Sequence, residues 1–549
     1  MDSAHPHQAL LAARPWAAAS HRNGDLVSAL EGYRTALELL PKVAWLGLNI
    51  PSRQHWLVEE TSDQLGCLAA TCAIQLGRFE EAVELLDTSR SVIWRQAASL
   101  RSDLKMLKEE EPRLAKELEI ISRQLDDELF FDSASIAGEC RDDRTSGEDL
   151  GKERRQLASE WERLVEAVRQ LPKFKYFLRP IPFDQIRQVS SGGHVVIINA
   201  SIYRADALIF GISGPIVHVP LSDTDLETLA ELSSDIVLRR PAHTSTNQQR
   251  SYNNRSLKPA LRTIWNDMIV HIFNKMQFPL TSTEVLPKRR IWWYPTGPLA
   301  FIPIHAARPG CGTVDVSRLV ISSYVTTLGS LLQARKKNAS AVKLQQKFLS
   351  ISQSETPGES ALPRTTEEVG AVAEVFRSSG WPEDDIISLH GSEATVDHVS
   401  HALDTCSWVH FACHGSQDNK LGMQSGFSLH DGDLKLSEIA PKKLSAGQFA
   451  FLSACHATSG LKDLPGEAMH LAASIQFAGF PSVIGTLWSI HDEDAPRVAD
   501  HTYRYIFRHG LQGLDPSEAA AALNRAVLRL REDTDVTVDR WAPFVHFGI

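Results

Sequence analysis

A histidine and a cysteine, each at the end of an apolar run, are the residues whose types and spacing could do chemistry. Trp408-Val-His-Phe-Ala-Cys413 runs into His414-Gly415, and Gln448-Phe-Ala-Phe-Leu-Ser-Ala454 runs into Cys455-His456. Both runs read as buried strands. In an open parallel sheet, functional groups gather beyond the carboxyl ends of the strands, so both side chains would emerge on one rim. A Cys and a His that meet there make a nucleophile and its base: the imidazole takes the thiol proton and the thiolate attacks an acyl carbon. Gly415 and the residues around Cys455 add backbone N–H groups that can approach a developing oxyanion. The alternative is that both side chains simply pack in the core.

The elements that must position these residues alternate from residue 347 onward. Strand 347–352 leads to a helix opened by a capping box at Thr365 and Glu368, then strand 386–390 and helix 395–404. After strand 408–413 come a hairpin turned at Asp431-Gly432, strand 448–454, helix 466–478 and strand 482–488. This order predicts an α/β layer with a mostly parallel sheet. A last helix begins at Asp515-Pro516, with Asp515 as N-cap and Glu518 at N3. Upstream, short β-rich runs at 194–200, 207–212, 216–220 and 291–294 alternate with helical stretches at 223–240 and 257–277.

The first part of the chain, 22–126, has helical period and few turn signals. Gly24, Ala29, Leu30 and Ala36 fall at the same offsets as Gly77, Ala82, Val83 and Ser89, an echo 53 residues apart. Small residues at such positions suit close helix packing, and the pattern resembles the tetratricopeptide repeat. Residues 133–152 are polar, aperiodic and rich in Gly, Ser and Asp, which predicts a linker before a helix at 153–171.

Composition narrows the class. At 549 residues the chain has room for about two to four domains. The 57 basic against 67 acidic residues leave no cationic footprint, so nucleic acid is not an expected partner. Seven scattered cysteines make no disulfide framework, which suits a reducing compartment. The absence of a long apolar run or a leader-like N-terminus predicts a soluble, cytoplasmic protein with no membrane partner, nuclear residence remaining open.

The motifs HFACHG and LSACHA, followed by GEAMHLAASIQFAGFPSVIGTLWSIHDED, resemble the CHAT domain, a caspase- and separase-related cysteine peptidase fold often found behind tetratricopeptide repeats. IWWYPTGPLAFIPIHAA at 291–307, SSYVTTLGSLL at 322–332 and WAPFVHFG at 541–548 are similar to the form common in fungi. The resemblance implies a helical repeat domain at 1–132, a linker and connecting helix at 133–180, a pseudo-caspase lobe at 181–340 and a catalytic α/β caspase-like lobe at 341–549. It implies that His414 is the base, Cys455 the nucleophile, and the N–H groups of Gly415 and Cys455 the oxyanion hole, with no third catalytic residue, metal or cofactor. His305 follows an apolar strand but has no partner cysteine at the right place, since Cys311 sits in a PGCG turn, and is expected to be structural.

Three acids, Asp492-Glu-Asp494, follow the last predicted strand and resemble the separase segment whose aspartate binds a P1 arginine. Asp492 and Asp494 are therefore candidates for an acidic pocket selecting Arg or Lys. Asp418 and Glu467 are further candidates. The competing explanation is that acids here favour the positive end of the following helix. No Arg lies between His414 and Asp494, so a caspase-like preference for P1 Asp is not expected.

A metal site is the first rival reading, since His401, Cys406, His410, Cys413, His414, His430, Cys455 and His456 cluster in sequence. The spacing lacks C-x-x-C and H-E-x-x-H, and His410 and Cys413 fall on opposite strand faces. The second is a silent or regulated scaffold whose repeats bind substrate or regulatory proteins. Residues 353–364, QSETPGESALPR, read as an exposed connection near the strand ends, with an activation or cleavage loop as the sharper alternative.

Overall fold

A computed structural model describes residues 6–59, 62–129, 144–237, 246–280, 289–310, 314–340, 346–416, 418, 422–454 and 470–549. The chain divides into two compact units, Met1–Phe183 and Asp184–Ile549.

The first unit is helical. Helices α1 (Pro6–Arg22), α2 (Leu26–Val43), α3 (Ile50–Glu59), α4 (Ser62–Gln75), α5 (Phe79–Ser89), α6 (Val92–Leu100), α7 (Lys105–Glu110), α8 (Pro112–Leu129) and α9 (Arg144–Arg169) follow in order. The two sequence echoes fall at matching places. Gly24 (φ 79°) turns α1 into α2 and Gly77 (φ 72°) turns α4 into α5, a conformation that penalises any side chain with a Cβ. Ala29, Leu30 and Ala36 are buried in α2, as are Ala82, Val83 and Ser89 in α5. A Cβ on Gly66 of α4 would sit 1.9 Å from Ser89 Oγ, so the α4–α5 approach depends on that glycine. Helices α7, α8 and α9 close a second core through Leu107, Ala115, Leu118, Leu164 and Val168. The expected linker at 133–152 is shorter than its composition suggests, because α9 already begins at Arg144; residues 130–143 lie outside the described residues. Among the described residues, no helix is long and apolar enough to cross a membrane.

The second unit is built on one mixed, mostly parallel sheet. Its strands are β1 (Gly193–Ala200), β2 (Ala205–Phe210), β3 (Val217–Pro220), β4 (Arg290–Pro295), β5 (Ile321–Tyr324), β6 (Phe348–Ser352), β7 (Ile386–His390), β8 (Trp408–Ala412), β12 (Phe449–Ser453), β13 (Ser482–Thr486) and β14 (Phe544–Gly548). A small antiparallel sheet holds β9 (His414–Ser416), β10 (Gly426–Ser428) and β11 (Asp433–Lys435), with Asp431-Gly432 at the expected turn. The large sheet runs β3-β2-β1-β4-β5-β14-β13-β12-β8-β6-β7. The two expected lobes thus share a single sheet, joined where the last strand, β14, slots between β5 and β13.

That joint is polar as well as apolar. Buried His546 on β14 pairs through Nδ1 with Ser323 Oγ on β5 and through Nε2 with Ser482 Oγ on β13, each at 2.9 Å. Arg290 of β4 donates to the same Ser323 at 2.8 Å, and Trp292 Nε1 donates to the Gly548 carbonyl at 2.8 Å. Burial and the nearby Arg290 charge push the His546 pKa well down, so the ring is a neutral hydrogen-bonding bridge.

Helices α10 (Thr365–Ser378), α11 (Leu471–Ala478), α12 (Ala495–Ile506), α13 (Ala519–Leu530) and α14 (Val538–Trp541) complete the elements used below. Alternation along β8 sets its two faces. Trp408 and His410 meet an aromatic layer that includes Phe376 of α10 and Tyr503 of α12. Phe411 stacks on Phe427 of the small sheet, with ring centroids 4.0 Å apart. Fully burying rings such as Phe348, Phe376 and Trp408 supplies roughly 1.5–3 kcal/mol each. The layer can therefore hold one polar pair, since both partners are satisfied: His410 Nε2 lies 3.1 Å from Glu368 Oε1. That pairing corrects the capping box expected at Thr365 and Glu368. Thr365 is the first helical residue, its hydroxyl donates to the Leu362 carbonyl, and Glu368 is taken by His410.

Candidate active site

The rim above β8 and β12 is assembled by parallel register. Phe449 pairs with Trp408 and Ser453 with Ala412, so the two strands end level. His414 follows two residues beyond Ala412 and starts β9; Gly415 lies opposite Phe427 on that edge strand. Beyond β12 the description runs to Ala454, whose carbonyl accepts a 2.6 Å hydrogen bond from Thr486 Oγ1 of β13. Cys455, His456 and Glu467 lie outside the described residues.

His414 is 8% exposed and its Nε2 lies 2.7 Å from the Ser360 carbonyl oxygen. A carbonyl can only accept, so Nε2 carries the proton and the lone pair of the neutral ring sits on Nδ1. A main-chain oxygen thus supplies the orienting group that the sequence reading left out. It had no sequence signal of its own, because every residue has a carbonyl. Its segment, 353–364, had been legible as an exposed connection near the strand ends. That segment is a strap with defined tethers. Gln353 N–H donates to the Ala412 carbonyl at 3.0 Å, and Leu362 N–H closes the strap on the Ser354 carbonyl at 2.8 Å.

The acidic candidates separate. Asp492 is half-buried, and its Oδ2 accepts the Arg364 N–H at 3.0 Å, at the far end of the strap. Burial pushes its carboxyl pKa up, against the Arg364 hydrogen bond and charge. Asp494 is fully buried, and its two oxygens take Arg540 at 2.6 and 2.8 Å. It holds the N-cap position of α12 without capping it by its side chain. Asp418 N–H donates to Ser425 Oγ at 3.0 Å. Among the described residues no group of three or more His, Cys, Asp or Glu side chains is close enough to hold a metal ion.

His305 lies in the other half of the sheet unit, buried against Tyr324, which is 2.8 Å from its Nδ1, and edge-on to Trp541. Cys311 lies outside the described residues. Desolvation lowers the His305 pKa from 6.5 to about 4. Between those values the unfolded chain binds a proton that the folded one refuses. Stability is therefore full above pH 6.5 and drains as pH falls toward 4, by roughly 3 kcal/mol in all. Urea midpoints between pH 7 and 4 should fall more steeply for the wild type than for His305→Gln; parallel slopes would reject this account.

The CHAT domain profile matches residues 258–549, which is more than half of the chain. The chain belongs to the CHAT domain family. This CHAT domain has the caspase-like peptidase fold, and His414 and Ser360 both lie within the matched residues. Among solved structures it is similar to a chain of the Saccharomyces cerevisiae separase–securin complex at 2.6 Å resolution, with TM-score 0.52 and 10% identity. That match covers 96% of this chain and 38% of the other, so this chain spans well under half the length of its relative. The Arg-specific cysteine proteinase gingipain R (RgpB) is matched with TM-score 0.36 and 11% identity, over 58% of this chain and 73% of that one. The complex of Porphyromonas gingivalis RgpB pro- and mature domains gives 0.33 and 11%, over 59% and 75%. No curated protein matches the CHAT protein described here.

Proposed function

We propose that this protein is a cysteine endopeptidase in which His414 deprotonates Cys455 and the thiolate attacks a peptide carbonyl. The supporting observation is the hydrogen bond from His414 Nε2 to the Ser360 carbonyl. It fixes the tautomer whose Nδ1 carries the lone pair that can accept a proton, and it favours the imidazolium formed next. The proton then passes from Nδ1 to the leaving amine, and water releases the acyl group from the sulfur. The N–H groups of Gly415 and Cys455 carry the oxyanion role.

Asp492 and its neighbour Glu493 favour a basic P1 side chain, whereas Asp494 is already neutralised by Arg540. Asp418 and Glu467 are secondary candidates. The helical unit, read as tetratricopeptide-like, recruits protein substrates or a regulator in a cytoplasmic setting.

Incubation of a cell lysate with wild type and Cys455→Ala, followed by sequencing of new N-termini, tests this directly. Cuts after Lys or Arg with wild type alone are expected. Cuts after other residues would remove the acidic selectors and keep the dyad. Identical termini from both proteins would favour a silent interaction scaffold.

A further inference from the structure

The strap 353–364 touches both halves of the candidate site. Its Ser360 carbonyl holds His414, and its last N–H, on Arg364, is held by Asp492. At its neck Gln353 N–H donates to the Ala412 carbonyl and Leu362 N–H to the Ser354 carbonyl, and at its far end the Leu362 carbonyl accepts from Thr365 of α10. Glu355, Pro357, Gly358, Glu359, Ser360 and Ala361 are all largely exposed, so packing does little to fix the carbonyl that meets the imidazole. Where Ser360 points therefore depends on the Arg364 end, which the first turn of α10 holds through the Arg364 and Leu362 carbonyls and Asp492 holds through the Arg364 N–H.

We propose that Asp492 is the latch of this strap: by accepting the Arg364 N–H it positions the Ser360 carbonyl and, through it, the proton-bearing tautomer of His414. Asp492 is on this view a positioning residue for the dyad, which deepens the peptidase reading and rests on it. The carboxylate needs its acceptor oxygen for this task and not its charge. Burial that raises the Asp492 pKa is in keeping with that, because the group is used as a hydrogen-bond acceptor in a partly dry place. Selecting a basic P1 residue, by contrast, requires the charge itself. The two roles make opposite demands on an amide replacement.

The test compares Asp492→Ala, Asp492→Asn and Arg364→Pro in the full chain. Arg364→Pro removes the donor N–H and leaves the carboxylate; Arg364 has φ −84°, near the value that proline imposes. With the latch, Asp492→Ala and Arg364→Pro lower kcat by ~10-fold or more whatever the P1 residue, and Asp492→Asn recovers kcat while raising KM for basic P1 residues, the mark of the lost charge. With a charge selector alone, Asp492→Asn fails on basic P1 substrates, Arg364→Pro cuts like wild type, and the latch is overturned.

A readout independent of catalysis keeps this separable from the peptidase reading. Nitrogen NMR of labelled histidine, with His414 assigned by its loss in His414→Ala, should report the Nε2–H form in wild type and a mixture in Asp492→Ala and Arg364→Pro. An unchanged His414 signal in both variants would sink the latch even if the enzyme is active. A shifted signal in a protein that cuts nothing would uphold the latch while removing the peptidase reading.

Discussion

On the proposed mechanism, His414→Ala should lower kcat/KM for peptide cleavage at pH 7 by ~10²–10⁴-fold, the usual worth of a positioned general base. The size of the loss depends on pH in a way that identifies the role. Without the imidazole, the thiolate of Cys455 has to form by ordinary ionisation, with a free-thiol pKa of about 8.5. The variant therefore gains activity steadily as pH rises from 6 to 9.5, while the wild type does not follow that rise. Loss of the acid that protonates the leaving amine limits the recovery, so the curves approach without meeting. Rates on a fluorogenic lysyl or arginyl peptide across that range, with iodoacetamide labelling of Cys455 alongside, measure both effects. A variant as fast as wild type at pH 7 would exclude His414 as the base.

The second large effect is on stability. Asp494 is fully buried and gives both oxygens to Arg540, whose side chain is 17% exposed. Asp494→Ala removes the anion and leaves a largely buried guanidinium without its two acceptors, offset only by the charges of Glu493 and Asp533. Breaking such a pair from one side costs about 3–5 kcal/mol, most of it the penalty of the abandoned charge. The damage spreads through α14, because its Asp539 is tied to Asn253 and its Asp539 carbonyl accepts from Trp488 Nε1 at 2.9 Å. Chemical denaturation monitored by tryptophan fluorescence should show the loss as a lower midpoint. If Asp494→Ala is as stable as wild type but no longer prefers a basic P1 residue, the pair is dispensable and Asp494 belongs to the pocket after all.

The contrast between Asp492 and Asp494 shows where sequence stops being informative. The acidic run was visible, but the guanidinium that consumes Asp494 lies 46 residues downstream and leaves no local trace. Strands β8 and β12 were legible because unbroken apolar runs of that length are what a strand buried on both faces looks like. β5, four residues long, was never read as a strand, and β14, whose central residue is His546, entered only through a resemblance to known motifs. Its histidine fits a buried strand once Ser323 and Ser482 flank it, a fact of pairing rather than of composition. The beginning of α9 was hidden by Gly, Ser and Asp, residues that usually mark a turn. Glu368 followed Thr365 at capping-box spacing, yet its carboxylate meets His410 from another element. The Ser360 contact uses the backbone, to which side-chain patterns are blind.

The place of β14 has a consequence for biogenesis. Every other strand of the large sheet is synthesised before it, yet β5 and β13 are brought into one sheet only through it. A nascent chain that has emerged as far as residue 540 thus holds two part-sheets, each with an unsatisfied edge of N–H and C=O groups. Such edges recruit foreign strands, so this stage is the one most exposed to aggregation and most in need of a chaperone. Strands β8 and β12, which lead to the candidate catalytic residues, lie in one of the two part-sheets that wait for this piece.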